Sequence, residues 1–113
     1  MVDEARQMCV ILMKLTNQGA QDIDAALDAV DRVRASMIEP LDIREASLLV
    51  TMGGFDLITV LEAADASAAA AYALALARTG FVTTESVLGF TTDQVRTTVP
   101  HFKVTRGDDF RPV

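Results

Sequence analysis

The sequence predicts an α+β fold, a ferredoxin-like β-α-β-β-α-β domain with a four-stranded antiparallel sheet and both helices on one face. Strand-like apolar runs alternate along the chain with stretches whose apolar residues recur at helical spacing, in the order that this fold requires. Gly53 and Gly54 lie between the second and third strands, and glycine tolerates the positive φ of a tight hairpin. Right-handed crossovers then place four strands of this order in a split βαβ arrangement.

The first strand and the first helix follow from hydrophobic periodicity. Residues 8–15 contain a single charge, Lys14, and are apolar at both alternating sets of positions, which is typical of a strand buried on both faces. From Ala20 the spacing becomes helical, and Pro40 ends the helix. The apolar stripe of this helix comprises Ile23, Ala26, Leu27, Val30, Val33 and Met37.

Two strands and the second helix form the middle of the predicted fold. Residues 43–52 form the second strand and residues 56–62 form the third, joined by the glycine turn. Asp65 is a suitable N-cap for a helix over 66–79, and Gly80 suits the left-handed position that follows a last helical turn. The middle of the chain is therefore a hairpin followed by a capped helix.

The last predicted elements are a strand and a short C-terminal helix. Residues 81–90 form the fourth strand, which is the most polar of the four. Thr91 and Gln94 have the spacing of a capping box, which predicts a short helix over 91–99. Pro100 then ends this helix because proline cannot continue it.

Length and composition indicate one globular domain over residues 1–113, with its core at about 8–99 and a tail over 100–113. Hydrophobic residues make up 50% of the chain and charged residues 23%, which is the balance of a folded domain. The net charge of -6 argues against binding to nucleic acid or to anionic membranes, because both require a basic surface.

The single cysteine and the N-terminal charges predict a cytoplasmic location. Cys9 has no second cysteine to pair with, and its apolar neighbours favour a small buried hydrophobe over a reactive thiol. Asp3 and Glu4 stand where a signal peptide carries basic residues.

The apolar pattern of the strands predicts self-association. Two helices cover one face of a four-stranded sheet, yet the first and third strands are apolar on both faces. The uncovered face would expose a larger apolar patch than monomers usually carry. The same face of a second copy is the simplest cover, so we expect a homo-oligomer, in its simplest form a dimer. A bound apolar ligand or an unrelated partner is the alternative cover, although either would leave the apolar surface exposed when absent.

Four segments in order resemble the GYD-domain family. Residues 53–56, Gly-Gly-Phe-Asp, resemble its Gly-x-Tyr-Asp signature, and residues 12–19 are similar to its first strand and Lys-Phe-Thr-x-Gln-Gly turn. Residues 60–65 resemble its Val-Glu-Ala-Pro-Asp run into the second helix, and residues 83–91 resemble its last strand and Phe-Thr exit. Phe55 replaces the tyrosine of the signature, and the first helix lacks the family's usual Ser-Pro step. The resemblance implies a ferredoxin-like fold akin to that of dimeric α/β-barrel proteins, without implying a reaction.

Three charged residues in apolar strands are candidate site residues. Lys14 ends the first strand, Asp56 begins the third and Glu85 lies inside the fourth. Each side chain has a structural interpretation, as an ion pair or an exposed strand end, and a functional one in ligand binding or acid–base chemistry. For Asp56 the structural interpretation is specific, because a carboxylate beside a glycine turn often accepts backbone N–H groups.

Two aromatic residues and one histidine complete the candidate set. Phe55 either packs at the turn or lines a pocket, and Tyr72 either directs its hydroxyl into a cavity between helix and sheet or hydrogen-bonds at the surface. His101 is the only histidine. No spacing typical of a metal site, a phosphate loop or a catalytic triad is present, so the sequence predicts neither a metal nor a cofactor.

The sequence leaves three functions open and does not decide whether the chain is an enzyme. The first is a small non-catalytic binding or accessory protein that self-associates through its sheet face. The second, by analogy with dimeric α/β-barrel proteins, is a cofactor-free monooxygenase or isomerase acting on a small apolar metabolite. The third is a trimeric ferredoxin-like regulatory protein, although the long loop and basic anion site of such proteins are missing.

Overall fold

A computed structural model describes residues 6–98, which form four strands and four helices. The strands are β1 (Gln7–Leu15), β2 (Arg44–Val50), β3 (Leu57–Ala63) and β4 (Val82–Gly89). The helices are α1 (Asn17–Gln21), α2 (Ile23–Met37), α3 (Ala66–Ala77) and α4 (92–98). No helix within 6–98 is both long enough and apolar enough to cross a membrane.

The four strands form one antiparallel sheet in the order β2-β3-β1-β4, which confirms the ferredoxin-like arrangement. The two central strands pair directly, with Val10 opposite Val60 and Ile11 opposite Thr59. Directly opposite residues share a face of the sheet, so the register assigns every strand residue to one of two faces.

Local signals confirm the predicted turns and helix ends. Gly53 has φ 130° in the β2–β3 turn, and Gly80 has φ 81° just beyond α3, both in the region that favours glycine. Asp65 caps α3 by accepting the backbone N–H of Ala68 at 2.9 Å. This bond is the largest of the causes that lower the pKa of Asp65.

The predicted capping box begins α4. The backbone N–H of Gln94 donates to the hydroxyl of Thr91 at 3.1 Å, and the backbone N–H of Thr91 donates to the Gln94 side chain at 2.7 Å. The reciprocal pair satisfies two backbone donors at the start of the helix.

The short helix α1 was not predicted. Five residues are too few for an apolar stripe, so its signal is Thr16, whose side chain accepts the backbone N–H of Gly19 at 3.1 Å. Gly19 is required by close packing, since a Cβ there would lie 2.2 Å from the carbonyl oxygen of Phe81. The α1 turn therefore fits tightly against the start of β4.

The core lies between one face of the sheet, here called the inner face, and helices α2 and α3. From β1 it contains Cys9, Ile11 and Met13, which belong to one cluster with buried residues of β3 and of both helices. Cys9 is fully buried, as predicted, and burial raises the pKa of its thiol. The remaining buried core residues are Val30, Ile43, Leu57, Leu61, Ala63, Ala69, Tyr72, Ala73, Leu76 and Val82.

The opposite face of the sheet, here called the outer face, is also apolar, as the strand pattern predicted. By register its apolar positions are Met8, Val10, Leu12, Leu49, Ile58, Val60 and Val87. Leu49 remains 56% exposed and Val87 47%, and the other five are partly buried among their neighbours. Helices α2 and α3 pack on the inner face, so they give these side chains no cover.

Candidate functional site

A recess at one end of the outer face brings three of the predicted site residues together. Lys14, Phe55 and Glu85 line a volume of about 190 Å³. Leu12, Thr83 and Thr84 complete the lining. The recess therefore combines two opposite charges with an aromatic and an aliphatic wall.

Strand register explains the position of the two charges. Lys14 lies opposite Thr83, and Leu12 lies opposite Glu85, on adjacent strands. Lys14 and Glu85 are thus diagonal neighbours on the outer face, a relation that places backbone positions about 7–8 Å apart. Lys14 and Glu85 are 71 positions apart in the chain. Their proximity depends on the β1–β4 register, so it could not be predicted from their spacing in the sequence.

The β2–β3 turn positions Phe55 beside Lys14. Thr51 donates its hydroxyl to the Phe55 carbonyl at 2.7 Å, which holds the turn closed. The Lys14 ammonium lies 5.6 Å from the centre of the Phe55 ring, within the range of a cation–π contact.

Asp56 is a structural residue, as the turn interpretation predicted. Its Oδ2 accepts the backbone N–H of Leu15 at 2.8 Å, and its own N–H donates to the Met13 carbonyl at 2.8 Å. These two bonds attach the turn to the end of β1, so Asp56 supports the recess without lining it.

Lys14 and Glu85 have no ion partner within 6–98. The ion pairs formed by the described residues involve other side chains, and the Lys14 ammonium and Glu85 carboxylate do not come within 4.0 Å of each other. A Lys14–carboxylate bridge, one structural interpretation of the sequence, is therefore not formed by the described carboxylates. Both side chains line the recess, and neither forms a hydrogen bond with another residue of the described range 6–98.

Tyr72 lies on the other side of the sheet, away from the recess. Its side chain is fully buried in the core, and its hydroxyl lies beside Arg34 and Glu45 without forming a hydrogen bond of standard geometry with a described residue. The surface hydrogen bond considered for this tyrosine is therefore absent from this part of the chain. His101, the remaining candidate, lies outside the described residues.

A buried polar network lies near Tyr72 and was not predicted. Glu45 accepts the Nε–H of Arg34 at 2.7 Å and the hydroxyl of Thr59 at 2.6 Å, and its side chain is only 6% exposed. Arg34 also pairs with Asp31 at 3.0 Å, which connects the interior to the surface of α2. A bulge between Glu45 and Ser47 places Glu45 on the inner face, and no local sequence pattern marked it.

We expect Tyr72→Phe to leave the free energy of unfolding unchanged or to raise it by about 1 kcal/mol. The variant removes a buried hydroxyl that forms no hydrogen bond of standard geometry within residues 6–98, and it retains the packed ring. Urea unfolding of both proteins measures the difference. A loss of more than about 1 kcal/mol would show that the hydroxyl has a partner in the folded protein.

The same residue gives a pH dependence with a defined sign. Burial, and then the charge of Glu45, raise the pKa of Tyr72 above its ordinary value of 10.0. As the pH rises, Tyr72 therefore ionises in the unfolded chain before it ionises in the folded protein. Its contribution to the free energy of unfolding is fully present below pH 10.0 and is lost as the pH rises beyond that value. Tyr72 is the only tyrosine, so tyrosinate absorbance reports it directly, and Tyr72→Phe should reduce the alkaline loss.

A second polar cluster joins the start of β1 to the sheet. Arg6 is buried, donating to the Asp42 carboxylate at 3.0 Å and to the Glu62 carbonyl at 3.1 Å. Glu62 Oε1 and Arg6 Nε lie 4.0 Å apart and are buried without hydrogen bonds. The polar composition of the first residues did not indicate this buried arginine.

Comparisons with known proteins place the chain at family level. The family model of the GYD domain matches residues 9–99, which includes nearly all the described elements. No curated protein and no solved structure matches the chain. Within 6–98, no group of three or more histidine, cysteine or acidic residues is arranged to hold a metal ion.

Proposed function

This chain belongs to the GYD-domain family, and we propose that it is a self-associating binding module whose outer sheet face packs against the same face of a second copy. The observation that carries the proposal is the continuous apolar surface of that face. Val10, Ile58 and Val60 form its centre on the two middle strands, and Leu49 and Val87 extend it to both edge strands.

The size of the outer face is sufficient for a dimer interface. Its four strands are seven to nine residues long. At about 4.8 Å between strands and about 3.3 Å per residue, such a sheet presents roughly 500 Å² of projected area. Two copies face to face would bury on the order of 1,000 Å², the threshold expected of a specific interface.

Charge balance on the outer face also favours a second copy as the occupant. By register, four charged strand residues lie on this face, Lys14, Arg44, Glu62 and Glu85, and their formal charges cancel; Glu62 also lies 4.0 Å from the buried Arg6. The whole chain carries a charge of -6, which repels other copies elsewhere. Two outer faces can therefore approach without the like-charge repulsion that the rest of the surface produces.

The enzyme alternative has less support from the geometry. The recess that contains the predicted residues has a volume of about 190 Å³, below the roughly 300–1,000 Å³ of typical substrate pockets. A larger open hollow of about 550 Å³ beside the end of α2 is lined by none of the predicted site residues. Asp56, one of the candidate acid–base groups, is already bonded to the backbone of β1. Lys14 and Glu85 retain the capacity to bind a ligand, which fits a binding module.

Intermolecular contacts between methyl groups test the proposal. In a mixture of carbon-13-labelled and unlabelled chains, we expect isotope-filtered NOEs between copies from the methyls of Ile58 and Val60. The matched controls are Ile23 and Leu74, exposed apolar residues on helices, which should give none. Intermolecular NOEs from the controls instead, or intramolecular NOEs from Ile58 to residues 99–113, would contradict the proposal.

A further inference from the structure

We propose that the recess formed by Lys14, Phe55 and Glu85 binds a small zwitterion, a molecule that carries one ammonium and one carboxylate group. The inference goes beyond self-association because it assigns a ligand to one end of the outer face, and it rests on the proposed function in one respect: the ligand would enter where the second copy leaves that end of the sheet uncovered. Lys14 would bind the ligand's carboxylate, and Glu85 would bind its ammonium.

We infer a zwitterion from the charges of Lys14 and Glu85, which form no ion pair within residues 6–98. The Lys14 ammonium and the Glu85 carboxylate face one recess, remain more than 4.0 Å apart and have no other ion partner within 6–98. A ligand with a single negative charge would be repelled by Glu85, and one with a single positive charge would be repelled by Lys14. A zwitterion alone forms a charge-assisted hydrogen bond with each.

The apolar walls define where the carbon chain of the ligand lies. Leu12 is on β1, beside Lys14 on the same face and opposite Glu85 on β4. Phe55 presents a ring that already contacts the Lys14 ammonium at 5.6 Å. Methylene groups that link the two charged ends of a ligand would therefore contact Leu12 and Phe55.

The size of the recess limits the ligand to that of a small amino acid. A volume of about 190 Å³ is below the roughly 300–1,000 Å³ of pockets that hold drug-sized ligands, which favours a small ligand. The diagonal relation of Lys14 and Glu85, about 7–8 Å between backbone positions, requires a ligand whose charges lie a few bonds apart. Glycine, β-alanine and 4-aminobutyrate span this range of charge separation.

Hydroxyl groups extend the polar lining of the recess on one side only. Thr83 lies directly opposite Lys14 and is exposed, so it can contact the carboxylate end of the ligand. The Thr84 hydroxyl lies near the Ala73 carbonyl of α3 at 3.5 Å, away from the outer face. We therefore expect the Thr83 hydroxyl to contact the carboxylate end of the ligand, and Thr84 to affect only the shape of the recess.

Titration of the isotope-labelled protein followed by NMR tests the inference. The probes are glycine, β-alanine and 4-aminobutyrate, with acetate and ethylammonium as ligands of one charge each. We expect at least one zwitterion to shift the backbone amides of residues 83–85 and Phe55 saturably at millimolar concentration. Acetate and ethylammonium should bind at least about tenfold more weakly, since each lacks one charge-assisted bond.

Charge-removing variants provide the matched controls. Lys14→Met and Glu85→Gln should each weaken binding by about tenfold or more. Arg32→Met and Glu39→Gln remove exposed charges on or beside α2 and should leave binding unchanged. Absence of saturable shifts with all three zwitterions, or equal affinity in the Lys14 and Glu85 variants, would overturn the inference. Sedimentation of the same samples reports self-association separately, so either proposal can fail alone.

Discussion

Ile11→Asp is expected to prevent folding. Ile11 is fully buried at the centre of the inner face, opposite Thr59 on β3 and Ser86 on β4. An aspartate there would bury a carboxylate among the apolar residues of the core, at a cost of several kcal/mol. Domains of this size are stable by only about 5–15 kcal/mol, and the lost packing adds to the cost. Far-ultraviolet circular dichroism and NMR dispersion measure the outcome.

The matched control for this prediction is Ile11→Val, which removes one methylene and adds no charge. We expect it to fold and to lose about 0.5–1.5 kcal/mol in urea unfolding. A folded Ile11→Asp protein with dispersed NMR signals would show that the inner face is not the core.

Ile58→Asp is expected to produce a folded monomer. Ile58 lies on the outer face opposite Leu12 and Leu49, and it is partly exposed in a single subunit. In a separate subunit the carboxylate can reach solvent, so the fold tolerates it. In a dimer the carboxylates of both copies would be buried without partners, which should raise the dimer dissociation constant by at least about a hundredfold.

Two variants control for effects unrelated to the outer face. Ile58→Val keeps the surface apolar and should remain dimeric, whereas Leu74→Asp adds the same charge to an exposed position on α3 and should not change the mass. Molar mass from light scattering at several concentrations distinguishes them. An Ile58→Asp protein that remains dimeric would contradict the assignment of the outer face as the interface.

The sequence provides no reason to distinguish Ile11 from Ile58, because both lie in strands that are apolar at both alternating sets of positions. Periodicity cannot separate two apolar faces; the separation depends on which face the helices cover. The β2 bulge shows the same limit, since one extra residue between Glu45 and Ser47 reverses the alternation and brings Leu48 to the core side.

Features set by neighbouring residues were predictable. Gly53, Gly80 and the Asp65 cap depend on local backbone geometry, and the structure confirms all three. The structural role of Asp56 followed from the turn beside it. The helix α1 was missed because one short turn has no periodicity, and its capping residue alone did not reveal it.

The sequence identified individual residues of the recess as candidates, but it did not predict that they lie together. Lys14, Phe55 and Glu85 stood out as polar or aromatic groups in apolar surroundings, but their meeting depends on the β1–β4 register. Tyr72 stood out equally, and it lies on the opposite side of the sheet because α3 packs its ring into the core. The spacing of residues in the sequence does not show which distant strands pair or in which register they do so.

Sedimentation equilibrium of the unmodified chain at micromolar concentration tests the central claim, that the outer face is buried against a second copy. We expect a particle of twice the 12.2 kDa chain mass, and we expect Ile58→Asp to dissociate it. A single 12.2 kDa species at that concentration, with nothing bound, would contradict it.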